Sequence, residues 1–440
     1  LRALMPDLTA REIAETDFGS YTTDQFFDDM FRVTRYRTDP ELCERLVTHS
    51  FDTMFWLRKK GIRFAPIYGR QAFKLGGRFK FWGGLTVEVA GGGPGMIAQF
   101  TDIARREGIE IRYDSRVLSL LWDGTAVGGV RVKGPRGLEE IRGEAVILAC
   151  GGFEANSEWR TRYLGPGWEL AKVRGTRFNM GDGIDMALKI GAMPYGNWSG
   201  CHAVGWDYNA PEFGDLAVGD NFQKHSYPFG IIVNAKGRRF VDEGADFRNY
   251  TYAKYGRAVL EQPDQFGWQI FDAKVLHLLR GEYRIKRVTK VAADTLEGLA
   301  EKLEGVEPAA FLAELRAYNA AVRTEIPFNP NIKDGRSTEG LAVPKSNWAN
   351  RIDEPPFEAY QIGCGITFTF GGLRLVAESG QVRDSDLAPI PGLYAAGELV
   401  GGLFYFNYPG GTGLMSGAVF GKTAGEGAAA ALAGQKAGTA

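Results

Sequence analysis

Cysteine is scarce: Cys43, Cys150, Cys201 and Cys364 stand far apart and form no CxxC pair. That argues against a disulfide framework or a thiolate zinc site, and no metal centre is expected; a reducing cytoplasm suits such a chain. Histidine is limited to four residues. Net charge is nearly absent too, since 52 basic residues meet 53 acidic ones. No global field is left to recruit nucleic acid or an anionic membrane. No apolar run reaches the length of a membrane span, and no signal peptide opens the chain. The first residue is Leu1 rather than Met, which leads us to expect a chain processed or cut from a longer protein.

Glycine is abundant instead. The 59 glycines cluster around 83–95, 151–152, 181–183, 371–372 and 392–425, between strand-like and helix-like runs. A single cluster reads as turn glycine. Five of them beside apolar strands point to a large phosphate-bearing cofactor, because glycine lets backbone N–H groups approach a ligand closely.

At 440 residues the chain has room for two or three domains. Apolar spacing predicts helices over 23–36, 40–60, 95–106, 182–190, 295–303, 308–323 and 411–432. Strands are expected over 110–113, 117–122, 127–132, 139–149, 370–377 and 393–396. Between about 197 and 356 aromatics are denser and strand and helix signals mix. This predicts an α/β nucleotide-binding domain (1–197 and 357–440) interrupted by an inserted α+β cap (198–356).

The segment IPGLYAAGELVGG (390–402) followed by NYPGGTGLMSGAVFGKTAG (407–425) reads as strand, glycine loop and helix N-terminus. Backbone donors at Thr412, Gly413 and Leu414 would meet an anion or a carbonyl edge, and Glu398 would accept from hydroxyls. This segment resembles the terminal flavin motif of the fumarate reductase/succinate dehydrogenase flavoprotein superfamily. Three more segments match that superfamily in order: AVILACGG (145–152), MGDGIDMALKIGA (180–192) and VNAKGRRFVDE (233–243). The resemblance implies FAD as cofactor, with Val117, Ala149, Gly151, Asp182 and Phe368 among its contacts.

One departure is large. The superfamily opens with a strand–GxGxxG–helix unit that holds the FAD pyrophosphate, and no such unit appears in this sequence. The run Gly91–Gly95 is a decoy, because residue 96 is Met and no buried strand precedes it. Roughly 60 upstream residues, about two βα units, are therefore expected to be missing.

Desaturating a carboxylic acid needs cations for the carboxylates and a group that moves a proton. The resemblance gives Arg248 the proton-transfer role, helped by Glu243 or Asp246 because arginine seldom deprotonates. It places His202 and Tyr408 against the substrate, with Thr367 and Gly411 beside it. The HHT of the fumarate reductases is here Thr367-Phe368-Thr369, and their second carboxylate-binding arginine is Tyr408. Between Gly61 and Gly84 five cations stand without an acidic residue, and Arg70 and Lys80 among them are expected to bind carboxylates.

The NYPGG loop is similar to those of tricarballylate dehydrogenases and 3-ketosteroid dehydrogenases, and the basic loop favours the former. The resemblance then implies FAD-dependent oxidation of tricarballylate to cis-aconitate, with hydride passing to flavin N5. A separate electron acceptor, a membrane electron-transfer protein or quinone, is expected. Two alternatives stay open. One is a ketosteroid-type dehydrogenase or a fumarate-reductase-like reductase; the other is a flavin-free remnant acting as a binding protein.

Overall fold

A computed structural model describes residues 2–81, 84 and 86–438; Gly83, in the first expected glycine cluster, lies outside the described residues. The N-terminal helices follow their local signals. Helix α1 (Thr23–Val33) starts on a capping box in which Thr22 and Gln25 each bond the other's backbone N–H. Helix α2 (Pro40–Lys60) has Asp39 accepting from the amides of Glu41 and Leu42, proline in its first turn, and Gly61 at φ 117° as its stop. Between them the chain turns sharply, with Arg35 at φ 54° and Tyr36 at φ 59°, so α1 ends three residues before the expected Tyr36.

Next come a hairpin, β1 (Ala72–Leu75) and β2 (Arg78–Phe81), and helix α3 (Gly92–Arg106). Strands β3 (Arg116–Trp122), β4 (Val127–Gly134) and β5 (Gly137–Arg142) form an antiparallel sheet. The strand expected over 139–149 is two strands: β5 ends at Arg142, and β6 (Val146–Leu148) joins a different sheet. The strand expected over 110–113 does not form, and Ile111 and Tyr113 are exposed there. No described strand pairs with that segment, and a lone extended run leaves its backbone groups to water.

A long buried strand organises the rest. After helix α4 (Asp182–Leu188), β7 (Pro194–Asp207) runs antiparallel to β11 (Phe357–Leu373). Strands β8 (Ile231–Val233), β9 (Gly267–Phe271) and β10 (Lys290–Ala293) complete this sheet together with the two residues Lys172–Val173. Helices α5 (Tyr252–Leu260) and α6 (Pro308–Ala321) pack beside it. The expected cap boundaries at 197/198 and 356/357 both fall on this sheet, inside β7 and just before β11. β11 begins 13 residues before the expected start at 370 because it is buried on both faces and shows no alternation to read.

The chain returns through β12 (Gln381–Arg383) and β13 (Pro389–Ala395), the latter parallel to β6, and ends in α7 (Thr412–Gly438). The largest core cluster spans α2, α4, β11, β13 and α7, joining the two ends of the sequence. No described helix is long and apolar enough to cross a membrane.

Candidate functional site

The C-terminal end of β6 meets the N-terminus of α7 across β11. Glu398 is half-buried here and accepts from the Thr369 amide at 2.7 Å and the Thr369 hydroxyl at 3.1 Å. Burial raises the Glu398 pKa and holds its buried neighbour Glu154 well above the usual carboxylate range; Glu398 adds to the shift at Glu154. Glu154 Oε1 accepts from Asn179 at 2.5 Å, and its Oε2 is buried without a partner.

The glycines are there because nothing larger fits. A Cβ on Gly152 would stand 2.1 Å from Glu398 Oε1 and 2.2 Å from Thr369 Oγ1, and one on Gly151 (φ 77°) would stand 2.6 Å from Asn179. Gly411 (φ 90°) turns the chain into α7, where Thr412 bonds back to the Pro409 carbonyl and Gly413 lies against Phe368. Leu414 is 72% exposed and Ala149 is exposed, so this flank is open. Val117 is half-buried on β3, paired with Val132. Asp182 opens α4 and pairs with Arg116 at 3.2 Å.

These residues fit the flavin and ribityl side of FAD. Glu154 carries an orphaned buried oxygen, Glu398 can accept hydroxyl protons, and the glycines leave backbone room beside a helix N-terminus. Gly151, Gly152, Glu398, Thr412, Gly413 and Leu414 would hold the group.

Nearby, three aromatic rings close around His202. A register irregularity in the β7–β11 ladder sets His202 opposite Phe368. The His202 ring lies 4.8 Å from Tyr252, 5.3 Å from Phe368 and 5.0 Å from Tyr408, and Phe404 packs on Tyr408. Both His202 nitrogens are buried without partners. Burial, with Arg174 next, holds its pKa well below the histidine range, so the ring is neutral. The Tyr408 and Tyr252 hydroxyls bond each other, and burial followed by Tyr252 pushes the Tyr408 pKa well up.

Beyond these rings lies a set of cations. Arg174 donates to both oxygens of Asp220 (2.6 and 2.8 Å), to Gln223 (3.1 Å) and to the Thr367 hydroxyl (3.1 Å). Burial opposes its charge, but Asp220 outweighs this and raises its pKa. Arg70 also reaches Asp220, at 3.0 Å. The Arg248 Nη1 lies 3.0 Å from His225 Nδ1, and its Nη2 donates to the Arg70 carbonyl at 2.8 Å. A guanidinium only donates, so His225 Nδ1 accepts and its proton sits on Nε2, which is buried without a partner. Arg248 and Arg280 line a cavity of about 20 Å³, room for about one water. Burial lowers the Arg248 pKa and brings that of Arg280 to about 9.

The structure thus brings Arg248, His202, Tyr408, Thr367, Phe368 and Arg70 into one region. Lys80 is elsewhere, exposed on β2. Glu243 and Asp246 do not assist Arg248: Glu243 is locked by Arg239 at 2.6 Å, and Asp246 pairs with Arg32 and Lys333. The side chain that Arg248 does bond is His225. Arg174, Asp220, His225, Tyr252, Arg280 and Glu154 were not found from the sequence. For His225 the rarity of histidine was a usable signal; for the arginines there was none.

The profile of the FAD binding domain family matches residues 13–414. The cytochrome fumarate reductase of Shewanella frigidimarina is 28% identical, with 92% of this chain and 65% of the relative covered. The NADH:fumarate oxidoreductase of Klebsiella pneumoniae is also 28% identical, over 92% of this chain and 40% of the relative. The 3-oxosteroid 1-dehydrogenase of Mycobacterium tuberculosis is 26% identical over 77% and 63%. The chain therefore spans less than two thirds of the length of these curated relatives. Among solved structures, the open conformation of a flavocytochrome c3 fumarate reductase superposes with a TM-score of 0.70 at 28% identity, over 93% of this chain and 67% of the other. A 3-ketosteroid Δ1-dehydrogenase from Sterolibacterium denitrificans shares the fold (TM-score 0.69, 20% identity, 93% and 89% covered). The chain belongs to the FAD binding domain family, with the α/β flavoprotein fold of the fumarate reductases and ketosteroid dehydrogenases.

Proposed function

We propose that the protein is an FAD-dependent oxidoreductase that desaturates a small polycarboxylic acid, with tricarballylate to cis-aconitate as the reaction. One observation carries this reading. Arg70, Arg174, Arg248 and Arg280 gather here, the last two lining a small cavity, while Asp220, Glu282 and, at Arg70, Glu88 are the carboxylates facing them. Uncompensated buried cation is costly unless an anion completes it, and arginine suits carboxylates bidentately.

When bound, FAD supplies the hydride acceptor. Arg248 receives the proton that leaves the neighbouring carbon as its own Nη1 proton passes to His225 Nδ1. Arg174 fixes Thr367 and places a cation near Tyr252 and Tyr408, at the side where position 408 lacks an arginine. Neutral His202 and the tyrosine pair orient the acid and exclude water. Electrons then pass to a separate acceptor, a membrane electron-transfer protein or quinone. We also place the work in the cytoplasm.

The Tyr252–Tyr408 hydroxyl pair favours a second reading, since two phenols can polarise a ketone. That would make the protein a relative of the 3-ketosteroid dehydrogenases in substrate as well as fold. Anaerobic mixing of the FAD-loaded protein with each acid or steroid separates the readings. Tricarballylate is expected to bleach the flavin, and a 3-ketosteroid is not. Bleaching by the steroid alone would reverse the choice. A preparation that takes up no FAD would instead support a flavin-free binding protein.

A further inference from the structure

A second cationic site lies outside this cluster, in a cavity of about 470 Å³ between the end of α1, the irregular 197–201 stretch of β7 and one face of α5. Thr251, Lys254 and Arg257 stand at three-residue spacing and so share that helix face. Arg32 and Arg35 approach from the other wall.

The charges here do not cancel. Among the described residues Asp246 is the only acidic one lining the cavity, and Arg32 and Lys333 already engage it at 2.9 and 3.5 Å. Arg32 is further tied to Asp29. Asp242 faces Lys254 from beyond the lining, but it accepts from the amides of Gly244 and Ser346 and from the Ser346 hydroxyl. Among the described residues, Arg35, Lys254 and Arg257 have no carboxylate partner. Arg35 lies over the Phe406 ring at 4.6 Å, and Arg257 donates to the Ser199 carbonyl at 2.7 Å. The lowered pKa of Lys254, due first to burial and then to Arg35, agrees with unneutralised charge. Asn407 also lines the cavity, and its side-chain oxygen is buried without a partner. It can accept a hydroxyl proton while the cations take negative groups.

We propose that this cavity binds a small organic polyanion, one carrying two or more carboxylate or phosphate groups and a hydroxyl. Arg35, Lys254 and Arg257 bind the anionic groups and Asn407 binds the hydroxyl. The site is separate from the Arg248 cluster and does not depend on the flavin chemistry.

Isothermal titration of the protein at low ionic strength with citrate, and separately with inorganic pyrophosphate, tests this. At least one probe is expected to bind, and the tighter of the two identifies the carboxylate or the phosphate source. Lys254→Glu and Arg35→Glu should each weaken it by about tenfold or more, and added salt should weaken it severalfold. Arg174→Met, which alters only the inner cluster, should leave unchanged the binding that Lys254→Glu and Arg35→Glu weaken. Asn407→Ala should weaken citrate more than pyrophosphate, which has no hydroxyl. The proposal is overturned if neither probe binds. It is equally overturned if folded Lys254→Glu and Arg35→Glu proteins, checked by their thermal melts, bind as the parent does, or if Arg174→Met abolishes the binding.

Discussion

Replacing Arg174 with Met isolates the inner cation cluster. The side chain makes four hydrogen bonds, two of them to Asp220, and the variant removes all four while roughly preserving length. Breaking a buried ion pair from one side costs about 3–5 kcal/mol, because the other charge stays buried. Asp220 keeps Arg70 at 3.0 Å and its side chain is 33% exposed, which places the expected loss at or below the lower end, about 2–3 kcal/mol. Asp220→Asn in the same background removes the stranded charge. The double variant should therefore recover roughly 1–2 kcal/mol relative to Arg174→Met alone. Urea unfolding followed by tryptophan fluorescence reads this directly, since the Arg174 guanidinium lies over Trp206 at 5.7 Å. If Arg174→Met unfolds within about 1 kcal/mol of the parent, the pair is worth no more than an ordinary hydrogen bond. The picture of a charge-rich pocket held by Arg174 would then be wrong.

Three further outcomes follow from the same geometry. Gly152→Ala pushes a methyl into Glu398 and Thr369; it should cost about 1–3 kcal/mol and weaken FAD uptake, measured by flavin fluorescence on titration. His202 is held neutral well below the unfolded histidine value of about 6.5. The unfolded chain therefore binds a proton the folded chain refuses, and stability falls as pH drops below about 6.5. Relative to His202→Asn, the parent should lose about 1.4 kcal/mol more per pH unit in that range; parallel urea-unfolding curves would refute this. Arg280 loses its charge as pH rises through about 9. Tricarballylate binding at the inner site, followed in Lys254→Glu protein, should weaken by on the order of tenfold across that step, and Arg280→Met should remove the step.

What the sequence revealed follows from where each constraint acts. Gly151, Gly152 and Gly411 were readable because only glycine survives such close approaches or left-handed turns. Phe368 and Glu398 came with them, held in the same short motifs. Helix α2 was readable because its cap, proline and stop glycine all lie within its own segment. Strand β11 was read short because burial on both faces erases the two-residue period. Arg174 and Arg280 were invisible because their meaning lies in partners distant along the chain: Asp220, Thr367, and the carbonyls of Gly69 and Ala72. Lys80 looked equivalent to Arg70 in a basic loop, yet the hairpin exposes one and the fold turns the other onto Asp220.

In the proposed reaction Arg248, half-buried against His225 and Arg70, moves the proton in oxidation of a polycarboxylic acid. Single-turnover reduction of the FAD-loaded protein by tricarballylate, compared between the parent and Arg248→Gln, tests it most directly. Flavin content and thermal melt should match the parent, while the rate of flavin bleaching falls by on the order of 10³-fold. An Arg248→Gln protein that bleaches at the parental rate would contradict the account.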